Sequence, residues 1–307
     1  MNILIEIIKL ARVDHWIKNV VVLMPVVFSK KILGPDAMTG AGYALAAAVA
    51  FCFASSFAYV INDIKDAKAD RKHPRKKNRP VASGKLSKPA AFTTALCFFL
   101  LALGTSISIS YILAFIIVLY ITLQVTYSAF LKQKPIIDVI CIALGFVLRA
   151  AAGAVAIEVP LSPWLFICMF TLCLFMGFCK RYNEMVTLDD NTAAENHRPT
   201  LILYTPDLLT HLITLSAAVA VVVFLFYGLN PSTVQRIKTH YLIYTLPLVV
   251  YAIFRFAMLS MRGVYSDPTD LILHDRPFQL TVGLWTLMTG GIILYGEPLK
   301  YWLNTLY

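Results

Sequence analysis

Nine separate runs of this chain are long and apolar enough to cross a lipid bilayer, and that feature restricts what it can fold into. The runs cover residues 17–33, 41–62, 89–107, 109–130, 136–157, 161–180, 211–229, 240–260 and 277–297. A helix needs about 20 apolar residues to span the hydrocarbon core, and backbone in lipid must satisfy its own hydrogen bonds. The pattern predicts an all-α polytopic membrane protein of about nine transmembrane helices. Only 14% of the 307 residues are charged and 59% are hydrophobic, whereas soluble domains carry about 25% charged residues. The mean hydropathy is +0.71. The first run is the weakest, being short and interrupted by Pro25. Ahead of it Ile3, Leu4, Ile7, Ile8 and Ala11 recur at helical spacing, which predicts a short interfacial helix. No soluble domain or long linker separates the runs, so residues 1–307 read as one transmembrane domain. The first residues lack the small-residue cleavage site of a secretory leader.

Charge orients the chain. With the N-terminus inside, the inner segments hold about 21 of the 27 Lys and Arg residues. The outer segments hold Lys30, Lys31, Arg236, Lys238 and Lys300, and Arg149 lies within a span. Cytoplasmic loops concentrate basic residues, so the expectation is an N-in, C-out protein. The six cysteines, Cys52, Cys97, Cys141, Cys168, Cys173 and Cys179, lie in apolar runs without a CxxC pair. They read as small core residues. No zinc spacing, P-loop or dinucleotide fingerprint is present, and nothing points to nucleic acid.

The chemistry concentrates between Asn62 and Gly84, in NDIKDAKADRKHPRKKNRPVASG. Asn62, Asp66 and Asp70 are spaced i, i+4, i+8 and share one helix face. Carboxylates stacked this way repel unless a cation sits among them. Mg²⁺ fits, because it takes one or two carboxylates and completes its shell with phosphate oxygens. Pro74 ends the helix, with His73 before it. Arg71, Lys72, Arg75, Lys76, Lys77, Arg79 and Lys85 follow. Acidic ligands beside many cations describe a site for a metal-complexed diphosphate. A basic loop binding anionic headgroups would explain the cations but not the acidic ladder.

The ladder N-D-x-x-D-x-x-x-D at the end of the second run resembles the UbiA-type intramembrane prenyltransferase superfamily. The longer string NDxxDxxxDRxHPxKxxRPxASG resembles its decaprenyl-phosphate phosphoribosyltransferase branch. HWIKN at 15–19, YSxxLK at 127–132 followed by Asp138, KRYxE at 180–184, HRPTLxLYT at 197–205 and DRPxQL at 275–280 extend the match along the chain. One departure selects the branch. Where prenyltransferases with aromatic acceptors carry a second Asp-rich motif, this chain has Lys180, Arg181, Tyr182, Asn183 and Glu184. That exchange suits phosphoribosyl diphosphate (PRPP), which bears a 5-phosphate besides its diphosphate. Tyr127 and Lys132 are five apart, a spacing altered from that of some relatives.

The resemblance implies a Mg²⁺-dependent pentosyltransferase that moves 5-phosphoribosyl from PRPP to a polyprenyl phosphate and releases diphosphate. It implies Asp66, Asp70 and Arg71 as catalytic, with Asn62, Asp66 and Asp70 on the metal. It further implies substrate contacts from Lys18, Asn62, Asp63, His73, Lys77 and Arg79. Tyr127, Lys132, Asp138, Arg149, Lys180, Arg181, Glu184, Asp275 and Arg276 complete that set. Such an enzyme would sit in a bacterial cytoplasmic membrane with its active site toward the cytoplasm, serving cell-wall biogenesis, with self-association open.

Several of these residues also admit plainer readings. Lys18 beside Trp16 suits a snorkelling interfacial lysine. Arg149 lies eleven residues after Asp138, on the same helix face as Asp138 and Gly145, and suits either a structural ion pair or the lipid phosphate. Lys180, Arg181 and Glu184 suit a salt-bridge cluster, and Asp275 with Arg276 before Pro277 suits a helix cap. Asp189, Asp190 and Glu195 read as solvated loop charges. Two other functions compete: a prenyltransferase acting on a lipophilic acceptor, and a transporter for a lipid-linked anion.

Overall fold

Hydroxyl or amide caps followed by proline punctuate the chain. Ser87, Thr205 and Asn230 each accept a backbone N–H from the first turn of the helix they open, and each precedes a proline within that turn. Ser162 likewise precedes Pro163, but its side chain accepts no backbone N–H. Such caps satisfy donors that a helix start leaves unpaired, and proline there sacrifices no bond.

The computed structural model describes residues 3–29, 37–72, 76–160, 162–187, 201, 203–265 and 268–304. They form α1 (Ile3–Ala11), a 3₁₀ segment (Val13–Leu23), α2 (Met24–Phe28), α3 (Ala37–Asp70), α4 (Lys88–Ile107), α5 (Tyr111–Ala129) and α6 (Ile137–Ala156). Then come α7 (Pro163–Val186), α8 (Pro206–Leu229), α9 (Pro231–Ile237), a 3₁₀ turn (Tyr241–Thr245), α10 (Leu246–Met261), α11 (Pro268–His274) and α12 (Arg276–Asn304). No strand occurs among the described residues.

Eight described helical segments are long and apolar enough to cross a membrane: α3 to α8, Tyr241–Met261 and Arg276–Gly296. The predicted first run, 17–33, differs. Its described part is the 3₁₀ segment and then the five residues of α2, with Pro25 in the first turn of α2. Proline supplies no N–H to continue the preceding turn. A helix forms at the predicted place as α1, with Ile3, Leu4, Ile5 and Ile8 exposed.

The chain divides into two compact units, Met1–Leu131 with Leu148–Pro160, and Lys132–Val147 with Leu161–Tyr307. In the first unit α3 packs along α4 and α5. Its buried face is mostly alanine: Ala44, Ala47, Ala50, Ala54 and Ala58 with Phe51. Small residues let helices approach closely in lipid. Leu113, Ile117 and Tyr120 of α5 and Ala152 of α6 close that core. Gly153 is the tightest point, because a Cβ there would lie 1.8 Å from the Val22 carbonyl oxygen. In the second unit α7 packs along α8. Phe175, Phe178, Leu209, Ile213, Ile253, Phe256 and Leu271 fill its core with Val139.

Candidate active site

In the first unit α3 is one unbroken helix to Asp70, so Asn62, Asp66 and Asp70 keep the face their spacing predicts. Asp63 and Asp70 are buried, at 2% and 4% exposure. Arg79 joins them: one terminal nitrogen, Nη1, lies 2.7 Å from Asp70 Oδ2 and 3.2 Å from Asp63 Oδ1. Arg12 Nη2 donates to the same Asp63 oxygen at 2.6 Å. Two carboxylates and two guanidinium groups thus balance in charge, which buried carboxylates require.

The loop between α3 and α4 holds Arg79 in place. Val81 and Leu86 pack against Leu10, Val60 and Ala67. The Ser83 N–H donates to the Arg79 carbonyl at 2.9 Å, and Gly84 takes a φ of 76° that favours glycine. Arg71 Nε donates to the Ala82 carbonyl at 3.1 Å, within the same loop. Lys77 is exposed. Buried Glu6 of α1 meets Lys9 at 3.1 Å and Lys85 at 4.0 Å, which ties α1 to this loop. His73 lies outside the described residues, as do Asp189, Asp190 and Glu195 and most of the HRPTLxLYT motif.

The next turns of α3 connect to α5. The Ser128 hydroxyl donates to the Asn62 side-chain oxygen. Lys65 Nζ donates to the Ser128 carbonyl at 2.7 Å and the Ala129 carbonyl at 2.6 Å, offsetting the negative C-terminal end of α5. Tyr127 is half-buried on α5 beside this junction, and Lys18 is half-buried in the 3₁₀ segment. Arg149 is 5% exposed and donates to Asn19 Oδ1 at 2.7 Å and to the Tyr120 hydroxyl at 2.8 Å. Its guanidinium also stands 4.8 Å from the Tyr120 ring centroid. Polar and aromatic partners are what a buried arginine needs.

The second unit gathers a different set. Asp138 and Arg181 are sealed, at 0% and 1% exposure, with Arg181 Nε 2.9 Å from Asp138 Oδ2. Arg181 Nη1 also binds Glu184 Oε2. The Tyr204 hydroxyl donates to Asp138 Oδ1 at 3.1 Å and accepts the Ile136 N–H at 2.5 Å. Ile136 has a φ of 67°, a costly conformation for a β-branched residue that this hydroxyl helps hold. Burial pushes the Tyr204 phenol up to about 12. Lys132 and Lys180 are half-buried. Arg255 grips Asp275 with two bonds, Nε to Oδ1 at 2.6 Å and Nη2 to Oδ2 at 2.9 Å. Asp275 Oδ1 also accepts the Phe278 N–H at 2.8 Å, which is the helix cap given above as the plainer alternative to a substrate contact. The Arg255 bonds hold the Asp275 carboxyl below the usual carboxylate range. Arg276 is exposed.

Participants in these networks that lie outside the predicted set include Arg12, Tyr204 and Arg255, besides Asn19, Lys65, Tyr120 and Ser128. Arg255 interrupts an apolar run as Arg149 does, so intramembrane charge would have found it. Tyr204 sits within a motif but carries no charge to single it out. Arg12 looks like any basic residue at a membrane boundary, and only tertiary contact distinguishes it.

Among the described residues no three His, Cys, Asp or Glu side chains form a ready-made metal cage. The ladder instead offers two carboxylates and an amide oxygen, all hard donors on one face. That donor set fits Mg²⁺ shared with phosphate oxygens rather than enclosed by protein.

Residues 22–272 match the UbiA prenyltransferase family. A decaprenyl-phosphate phosphoribosyltransferase of Mycolicibacterium smegmatis is 32% identical, over 96% of this chain and 94% of that protein. One from Corynebacterium glutamicum is 33% identical over 92% and 85% of the two chains. Among solved structures, a UbiA homologue from Archaeoglobus fulgidus bound to GPP and Mg²⁺ superposes with a TM-score of 0.70 at 20% identity, covering 94% of this chain and 99% of that one.

Proposed function

Since the chain belongs to the UbiA prenyltransferase family, we propose that it transfers 5-phosphoribosyl from PRPP to a polyprenyl phosphate and releases diphosphate. The observation that carries this reading is near-full-length similarity to decaprenyl-phosphate phosphoribosyltransferases. The buried acid–arginine network at the end of α3 supplies a matching chemistry. The charge asymmetry of the loops supports an N-terminus and active site on the cytoplasmic side, and the bacterial sources of the similar proteins support a bacterial cytoplasmic membrane. Decaprenyl phosphate-like lipid and PRPP are the substrates, and envelope biogenesis is the process served.

Asn62, Asp66 and Asp70 would hold Mg²⁺, which when bound offsets the charge of the departing diphosphate. Arg79, fixed by Asp63, and the exposed cations Arg71 and Lys77 neutralise phosphate oxygens as the C1–O bond breaks. An acceptor phosphate oxygen forms the new bond to C1. That oxygen is ionised near neutral pH, so the step requires no strong general base. Backside attack inverts configuration at C1, and retention would exclude this single displacement. In the second unit the half-buried Lys132 and Lys180 are assigned to substrate anionic oxygen, and the sealed Asp138–Arg181 pair to support of α6 and α7.

The test is thin-layer analysis of membranes given radiolabelled PRPP, Mg²⁺ and a polyprenyl phosphate. Labelled lipid that depends on the acceptor is expected. Label entering a lipophilic acceptor from prenyl diphosphate, with none from PRPP, overturns the reading in favour of prenyl transfer. Movement of a lipid-linked anion without diphosphate release overturns it in favour of transport.

A further inference from the structure

Helix α3 presents two neighbouring stripes at its polar end. One carries Asn62, Asp66 and Asp70. The other carries Ser56, Tyr59 and Asp63, and it is occupied by the segment after α1. Ser56 donates to the Ala11 carbonyl at 2.9 Å and accepts Trp16 Nε1 at 3.1 Å. The Arg12 guanidinium stands 4.9 Å from the Tyr59 ring centroid and reaches Asp63 at 2.6 Å. Arg12 adopts a left-handed backbone, with a φ of 51°, to make this turn. At 3.6 residues per turn Asp63 and Asp66 lie about 60° apart around the helix, with Asp70 between them. Asp70 therefore borders both stripes, and Arg79 spans from Asp63 to Asp70.

A buried carboxylate attracts whatever cation is within reach. If Asp63 had Arg79 alone, it would draw that guanidinium fully onto itself and away from Asp70. Arg12 supplies half of the demand. We infer that Arg12 is a positioning residue for the diphosphate site: by sharing Asp63 it keeps Arg79 extended toward Asp70, where the diphosphate group of the substrate is bound. This rests on the phosphoribosyl-transfer reading for the identity of the substrate, though not for the binding of pyrophosphate itself. The N-terminal segment thereby becomes part of the site's electrostatics.

The experiment measures binding of inorganic pyrophosphate with Mg²⁺ to the full-length protein in detergent, and in parallel KM for PRPP and for polyprenyl phosphate. Arg12→Gln is expected to weaken pyrophosphate about tenfold and to raise KM for PRPP by a similar factor, with KM for polyprenyl phosphate within about twofold of normal. Arg12→Lys should recover part of the loss. Asp63→Asn added to Arg12→Gln should restore affinity relative to Arg12→Gln alone, since coupled neighbours are not additive. Unchanged pyrophosphate affinity in folded Arg12→Gln overturns the inference. So does an equal rise of both KM values, or a loss that only tracks folded yield on size exclusion. Wild-type protein that binds pyrophosphate but transfers nothing from PRPP sinks the transferase reading instead, and the pyrophosphate series then decides Arg12 by itself.

Discussion

The two polar clusters use the same residue types to opposite ends. In the first unit the arginines around Asp63 and Asp70 keep some exposure, 19% for the Arg12 side chain and 24% for that of Arg79. In the second unit Arg181 is 1% exposed and Asp138 is fully buried. A partly exposed guanidinium can offer nitrogens to an incoming phosphate. A sealed one is committed to its acids, and releasing it leaves a buried charge uncompensated. The difference separates a cluster suited to ligand chemistry from one suited to holding helices together, although both read as charge clusters in sequence.

The strongest way to break this contrast is Arg181→Ala. Loss of one partner from a sealed pair should cost about 3–5 kcal/mol, read as a large drop in thermal midpoint and in monodisperse yield in detergent. A stable, inactive Arg181→Ala protein would place Arg181 with the chemistry instead. Next, Asp66→Asn and Asp70→Asn should each reduce PRPP turnover on the order of 100-fold or more, far more than either lowers folded yield in detergent. Turnover close to normal in either variant would remove the metal assignment. Ser128→Ala should have a milder effect, lowering turnover about three- to tenfold through loss of one hydrogen bond that orients Asn62.

The smallest expected effect concerns pH. The folded carboxyl of Asp275 lies below its ordinary value, so its contribution is fully present above about pH 3.9, the unfolded value. It is lost as pH falls further, through the folded value. Thermal midpoints measured downward from pH 6 should therefore fall more steeply for wild type than for Asp275→Asn, and the two should converge in acid. Parallel curves would show that the Arg255 pair contributes no linkage.

The membrane helices were legible because hydropathy and length decide them, and α3 to α8 fall where the apolar runs lie. The described part of the run at 17–33 winds as a 3₁₀ segment followed by α2, a detail that hydropathy does not encode because it reports composition and not winding. The ladder on α3 was legible for the same reason as the helix itself: a fixed spacing on a regular element. The partners of that ladder were not. Arg12 and Ser128 are 51 and 66 residues from the α3 groups they bind. No local pattern encodes a meeting across that separation. For Asp275 the cap was readable from the proline two residues later, while its Arg255 clasp needed the fold.

The winding of Val13–Leu23 has a mechanical consequence. A 3₁₀ turn rises about 2.0 Å per residue and an α-helix about 1.5 Å. Arg12 anchors one side of this stretch on Asp63, while Asn19 contacts Ser55 and Arg149 further along. Rewinding the seven intervening steps as α-helix would shorten the span by about 3.5 Å, more than a hydrogen bond tolerates. The segment behaves as a ruler whose length is set by its pitch, so inserting or deleting one residue here would detach one end or the other.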